Sequence, residues 1–124
     1  MNPPALVPTQ PVDLAPGLRA FEVVRAGVFD DILVERGEIL LVRCDATGDG
    51  RVVLLPRGHG RPALGRREGN RLCGAWGEPC HRDRWEVAGR IVWRARHTGR
   101  TWRLDPLTAG RAAPAEQLPL FQAA

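Results

Sequence analysis

The run Asp45-Ala46-Thr47-Gly48-Asp49-Gly50 separates two short apolar segments and limits what this chain can fold into. Asp and Gly tolerate backbone conformations that branched side chains resist, so the run specifies a turn. The flanking segments, Glu38 to Cys44 and Arg51 to Leu55, are rich in Leu, Ile and Val and favour extended backbone. Two adjacent hydrophobic strands across a tight turn are expected to pair as a hairpin.

The same signals recur along the chain. Ala20 to Arg25 sets Phe21 and Val23 against Glu22 and Val24, which suggests a short strand. Gly58 to Gly69 is rich in Gly and Arg and reads as a loop with at most a short strand near Ala63-Leu64. Leu72 to Trp76 and Trp85 to Ala95 are further strand candidates. In the second, Ile91, Trp93 and Ala95 are expected on one face, with outward positions among Arg90, Arg94 and Arg96. Thr98-Gly99 suits a turn into Thr101-Trp102-Arg103-Leu104. The expected fold is mainly β, one small domain over residues 20–105. Residues 1–19, rich in proline, read as an extended arm or loosely attached leader, and residues 106–124 as a flexible tail.

A chain of 124 residues that is 44% hydrophobic can form one modest core. No run approaches the roughly 18 apolar residues of a membrane helix. The start Met-Asn-Pro-Pro lacks the basic and apolar regions of a secretion signal, so a cytoplasmic protein with no membrane association is expected. All 18 basic residues are arginine and the net charge is +4, but the arginines are interleaved with acids, as in Arg82-Asp83-Arg84 and Glu86. That interleaving predicts at most weak direct binding to DNA.

Three cysteines do not suggest a disulfide framework. Cys73 and Cys80-His81, with Cys44 and His59 as distant partners, match no familiar spacing for the about four ligands zinc needs, so no metal or other cofactor is expected. His97 reads as an edge or packing residue. Trp76, Trp85, Trp93 and Trp102 all fall in the second half and are read as members of a small core rather than as a base-stacking platform.

The Pro/Ala-rich tail carries Gln117-Leu118-Pro119-Leu120-Phe121. Leu120 and Phe121 are adjacent large apolar side chains in a segment too poor in hydrophobes for a local core, Leu118 adds a second anchor, and Gln117 offers an amide donor and acceptor. Such groups suit a pocket on a partner, and Pro119 lowers the entropy cost of ordering them. The pentapeptide resembles the motif by which bacterial DNA polymerases and repair factors dock onto the replication sliding clamp. That resemblance implies clamp binding through Gln117, Leu118, Leu120 and Phe121. The competing expectation is that Leu118, Leu120 and Phe121 fold back into a groove of their own domain.

Gly27 to Val42 reads GVFDDILVERGEILLV and resembles the signature of the LexA/UmuD family of self-cleaving serine peptidases (peptidase S24 type). In that family Gly-Asp-Ser-Met opens a segment ending in Gly-Asp and a hydrophobic strand. Gly27 matches the first glycine, Gly37 the second, Glu38 replaces the aspartate, and Ile39-Leu40-Leu41-Val42 matches the strand. Gly50-Arg51-Val52-Val53-Leu54 and Val87-Ala88-Gly89-Arg90-Ile91-Val92 resemble later strands of the same family. The resemblance spans about residues 20–97 and implies the family's C-terminal β-fold.

The chemistry departs from the family. Phe29 occupies the nucleophile position, Val28 that of the preceding aspartate and Asp30 that of methionine. Arg66 or Arg67 falls near the position of the family's lysine, and arginine is too basic to act as general base. The chain contains neither Ser nor Lys. Cys44, Cys73 or Cys80 could pair by residue type with His59, His81 or His97, but none stands at the matched nucleophile position.

The expectation is therefore a pseudo-peptidase and not an enzyme. Members of the UmuD type lack a DNA-binding domain, dimerise and assist error-prone polymerases in the SOS response to DNA damage. By resemblance, this chain would be a homodimeric adaptor between the sliding clamp and an error-prone DNA polymerase or related repair subunit in translesion synthesis, with Phe29 packing or touching a partner. Two alternatives remain open from sequence. One is a phage or mobile-element protein that occupies the clamp; the other is a small arginine-rich β module that binds nucleic acid.

Overall fold

A computed structural model describes residues 3–11, 14–30, 32–45, 48–99 and 101–107. The described residues form β1 (Ala5–Thr9), β2 (Leu18–Arg25), β3 (Gly27–Phe29), β4 (Ile32–Val34), β5 (Ile39–Arg43), β6 (Gly50–Pro56), β7 (Ala63–Glu68), β8 (Arg71–Gly74), β9 (Pro79–Cys80), β10 (Trp85–Thr98) and β11 (Thr101–Pro106). The protein is mainly β, and none of the described residues is helical. A nine-stranded sheet runs in the order β1-β2-β5-β10-β6-β7-β8-β9, with β11 also paired to β10, while β3 and β4 make a separate hairpin.

The expected pairing of β5 with β6 does not occur, because β10 lies between them. Arg90 of β10 stands opposite both Arg43 of β5 and Val52 of β6. A local turn sends the chain into a new strand without choosing that strand's partner. At 14 residues, β10 is long enough to pair with β6 along its first half and with β5 and β11 along its second.

Two register shifts bend β10, at Val87/Gly89 and at Ile91/Trp93. Gly89 lies at the crossing with β5, where a Cβ would stand 2.6 Å from the carbonyl oxygen of Arg43. A side chain here would have to push backbone aside. The second shift separates residues expected on one face: Ile91 joins the main core, whereas Trp93 packs with Ala20 and Leu41 on the other side.

The main core gathers Leu6, Phe21, Val23, Phe29, Val34, Leu40, Val42, Val53, Leu64, Ala88 and Ile91. Along β5, Leu40 and Val42 enter this cluster while Leu41 enters the second, so the strand is covered on both faces. Its unbroken apolar run reflects that position. Full burial of each such side chain stabilises the fold by about 1.5–3 kcal/mol.

The structure corrects the reading of residues 1–19 as a loose arm. Ala5–Thr9 pairs with β2 as an edge strand, and Leu6 is fully buried in the core. Pro8 fits there because an edge strand has one side on which no backbone donor is needed. Residues 58–69 likewise hold more strand than expected, since β7 continues through Arg66, Arg67 and Glu68 opposite β8. Trp85 and Trp93 pack against core clusters as expected, but Trp76 and Trp102 are exposed.

Candidate functional site

The segment aligned with the peptidase nucleophile forms the β3–β4 hairpin. Gly27 pairs with Val34, Val28 with Leu33 and Phe29 with Ile32. Alternation turns Phe29 and Val34 into the core and leaves Val28 and Leu33 exposed. Phe29 is only 4% exposed and packs in the main cluster as a core side chain.

Beyond Phe29, Asp30 has a φ of 52°, a conformation that Asp adopts more readily than most residues. Its carboxylate reaches Arg51 Nε of β6 at 2.9 Å and Arg66 Nη1 of β7 at 2.6 Å. Arg66 Nε also lies 3.6 Å from Glu68. Asp30 thus ties the hairpin tip to two strands of the main sheet. The set holds opposite charges in fixed positions, and none of its members is a hydroxyl or thiol nucleophile. A guanidinium is too strongly basic a group to take a proton from a nucleophile in the way a neutral lysine does.

Gly37 and Glu38, the second pair of the signature, lie in the turn that enters β5. Gly37 has a φ of 92°, which glycine accepts without strain, and its N–H donates to the Val23 carbonyl at 2.8 Å. Glu38 is 3% exposed and its Oε2 lies 2.9 Å from Arg94 Nε. The contact is close enough for an ion pair but is not aligned as a hydrogen bond. Burial pushes the Glu38 carboxyl above its ordinary value, against the opposing pull of Arg94. Arg94 therefore points inward, and the register shift at Ile91/Trp93 is the reason simple alternation misplaces it.

The cysteines and histidines are dispersed. Among the described residues no three or more of His, Cys, Asp and Glu are grouped to hold a metal ion. Cys80 stands opposite Leu72, and Cys73 opposite Pro79, so the two thiols project from opposite faces of the β8–β9 pair. Burial, followed by the neighbouring Glu78 and Cys73, pushes the Cys80 thiol up and away from the reactive thiolate. Cys44 is exposed beyond β5. His97 packs edge-on against Trp102 with ring centroids 5.0 Å apart, in keeping with a packing role.

Gln117, Leu118, Leu120 and Phe121 lie outside the described residues. Among the described residues no helix is long and apolar enough to cross a membrane. Sequence reasoning missed the Asp30–Arg51–Arg66 set; an Asp at a tight turn was its only local signal, and the two arginines come from distant strands. The chain matches no family model, no curated protein and no solved structure.

Proposed function

We propose that this chain is a non-catalytic, UmuD-like adaptor that binds the bacterial DNA sliding clamp and supports translesion synthesis or repair. The observation that carries the proposal is Gln117-Leu118-Pro119-Leu120-Phe121, set beyond β11, which ends at Pro106. Residues 107–116 then act as a spacer, allowing the peptide to reach a clamp pocket while the β body engages a polymerase or repair subunit.

Two features of the body favour the UmuD-like part. The segment resembling the nucleophile signature and the strand near the expected lysine position meet directly, through Asp30 and Arg66. At the matched positions the chemistry is replaced: Phe29 is core, and arginine takes the place of a titratable base. A body that keeps such a juxtaposition without the dyad suits binding rather than peptide cleavage.

The test is a titration of the host clamp with the intact chain and with a Leu120→Ala, Phe121→Ala double variant. Two buried anchors of about 2 kcal/mol each predict a loss of at least about a hundredfold in affinity. Unchanged binding by the variant would remove the tail from the interface. Recovery of an error-prone polymerase in the same complex separates the adaptor from a clamp-occupying competitor, which predicts clamp binding with no polymerase partner.

A further inference from the structure

Arginines from two separate stretches of the sequence are gathered by the fold into one cleft. The loop 57–62, between β6 and β7, faces the turn 81–84 that leads into β10. Two hydrogen bonds join them: Arg57 N–H donates to the Arg84 carbonyl at 2.9 Å, and Arg57 Nε donates to the Arg82 carbonyl at 2.7 Å. The turn is closed on itself by Arg84 and Trp85 N–H groups donating to the His81 carbonyl, each at 3.0 Å. Between these walls lies an open cleft of about 430 Å³ lined by Arg57, His59, Arg61, Asp83, Arg84 and Trp85, among others.

The charges of this cleft are unbalanced. Three arginines face one carboxylate, Asp83. Among the described residues no ion pair engages Arg61 or Arg84, whereas Arg51, Arg66, Arg94, Arg96 and Arg103 all lie against carboxylates. Arg57 donates from Nε to a carbonyl and also lines the cleft. Three guanidinium groups carried on two loops joined by hydrogen bonds suit phosphate oxygens. The volume is that of a nucleotide-sized site rather than of a single small anion. Trp85, partly buried, and exposed His59 offer flat surfaces for a base.

We infer that this cleft binds the phosphodiester backbone of a single-stranded nucleic acid. Single strands can thread a recessed cleft and turn a base toward Trp85 and His59; the stacked bases of a duplex cannot. The inference stands apart from clamp binding, since it uses no residue of the tail.

The test measures anisotropy of a labelled thymidine oligonucleotide of about 15 nucleotides, titrated with the full chain between about 50 and about 200 mM salt. An Arg61→Ala, Arg84→Ala variant is compared with Arg36→Ala, Arg71→Ala, which removes the same charge from exposed positions that do not line the cleft. The expected result is at least about tenfold weaker binding for the cleft variant at the lower salt. Its salt slope should also flatten by about 1.4, for two lost phosphate contacts at about 0.7 each. The control variant should stay within about threefold of the parent. Equal losses in both variants, no binding at low salt, or equal binding of a duplex of the same length would each overturn the inference.

Discussion

A carboxylate oxygen of Asp30 lies 2.6 Å from a guanidinium nitrogen of Arg66, joining the tip of the β3–β4 hairpin to β7. Because the second oxygen holds Arg51 at 2.9 Å, one side chain fixes the hairpin against two strands. The pairs are partly solvated, which limits their strength. Asp30→Ala is expected to lower stability by about 1–2 kcal/mol, seen as a lower urea midpoint with an unchanged slope. A midpoint equal to that of the parent would show that the hairpin is held by Phe29 and Val34 alone.

Arg94→Ala should cost more, about 3–5 kcal/mol near neutral pH, because it leaves the Glu38 carboxylate buried without its counter-charge. The sign of the pH dependence follows from burial, which raises the Glu38 pKa in the fold. A raised pKa means that Glu38's favourable contribution is fully present below its ordinary value of 4.5 and is lost as pH rises through the folded value. Removing Arg94 pushes that folded value higher still. The gap between variant and parent should therefore narrow as pH falls from 7 toward about 4, as followed by denaturant unfolding at each pH. A gap that widens over that interval would contradict a raised Glu38 pKa and its pairing with Arg94.

Asp105 behaves in the opposite sense. Partial desolvation would raise its pKa, but hydrogen bonds and charge from Arg96 at 3.0 Å and Arg103 at 3.2 Å outweigh it and hold the carboxyl below 3.8. Its contribution is present above 3.8 and is lost as pH falls through the lowered folded value. Asp105→Asn is expected to destabilise by about 0.5–1 kcal/mol at neutral pH and to become indistinguishable from the parent in acid. Thermal midpoints across that range provide the check.

Phe29 distinguishes a filled core from a vacated active site. Phe29→Leu should cost less than about 1.5 kcal/mol and Phe29→Ala about 3–5 kcal/mol. Phe29→Ser should yield no self-cleavage fragment on electrophoresis, since no lysine is available to activate the hydroxyl. A fragment from that variant would restore the peptidase reading.

The strands themselves were legible because their apolar residues alternate or run together: Phe21 and Val23 in β2, Ile39 to Val42 in β5, and Thr101 to Leu104 in β11. Their partners were not. The turn 45–50 predicted a hairpin, but the extra length of β10 and its Gly89 crossing place that strand between β5 and β6. Prolines near the start suggested a detached arm, although Leu6 carries enough apolar surface to anchor an edge strand. Of the candidate residues, the sequence singled out Phe29, Gly27, Gly37 and Glu38 by position, and the fold buries Phe29 and Glu38. The burial of Glu38 against Arg94 was not legible, because a one-residue bulge reverses which side chains face inward. Likewise, a charge count could not reveal that Arg57, Arg61 and Arg84 share one cleft, since only tertiary pairing brings the two loops together.

The proposed engagement of the clamp rests on the tail peptide Gln117 to Phe121. Its most direct test is competition at equilibrium: a synthetic peptide spanning residues 112–124 is titrated against the intact chain bound to the host clamp. Full displacement, by a peptide whose affinity lies within about tenfold of that of the intact chain, or 1.4 kcal/mol, is the predicted result. An intact chain that stays bound while the peptide saturates the clamp, or a chain that never binds the clamp, would contradict the account.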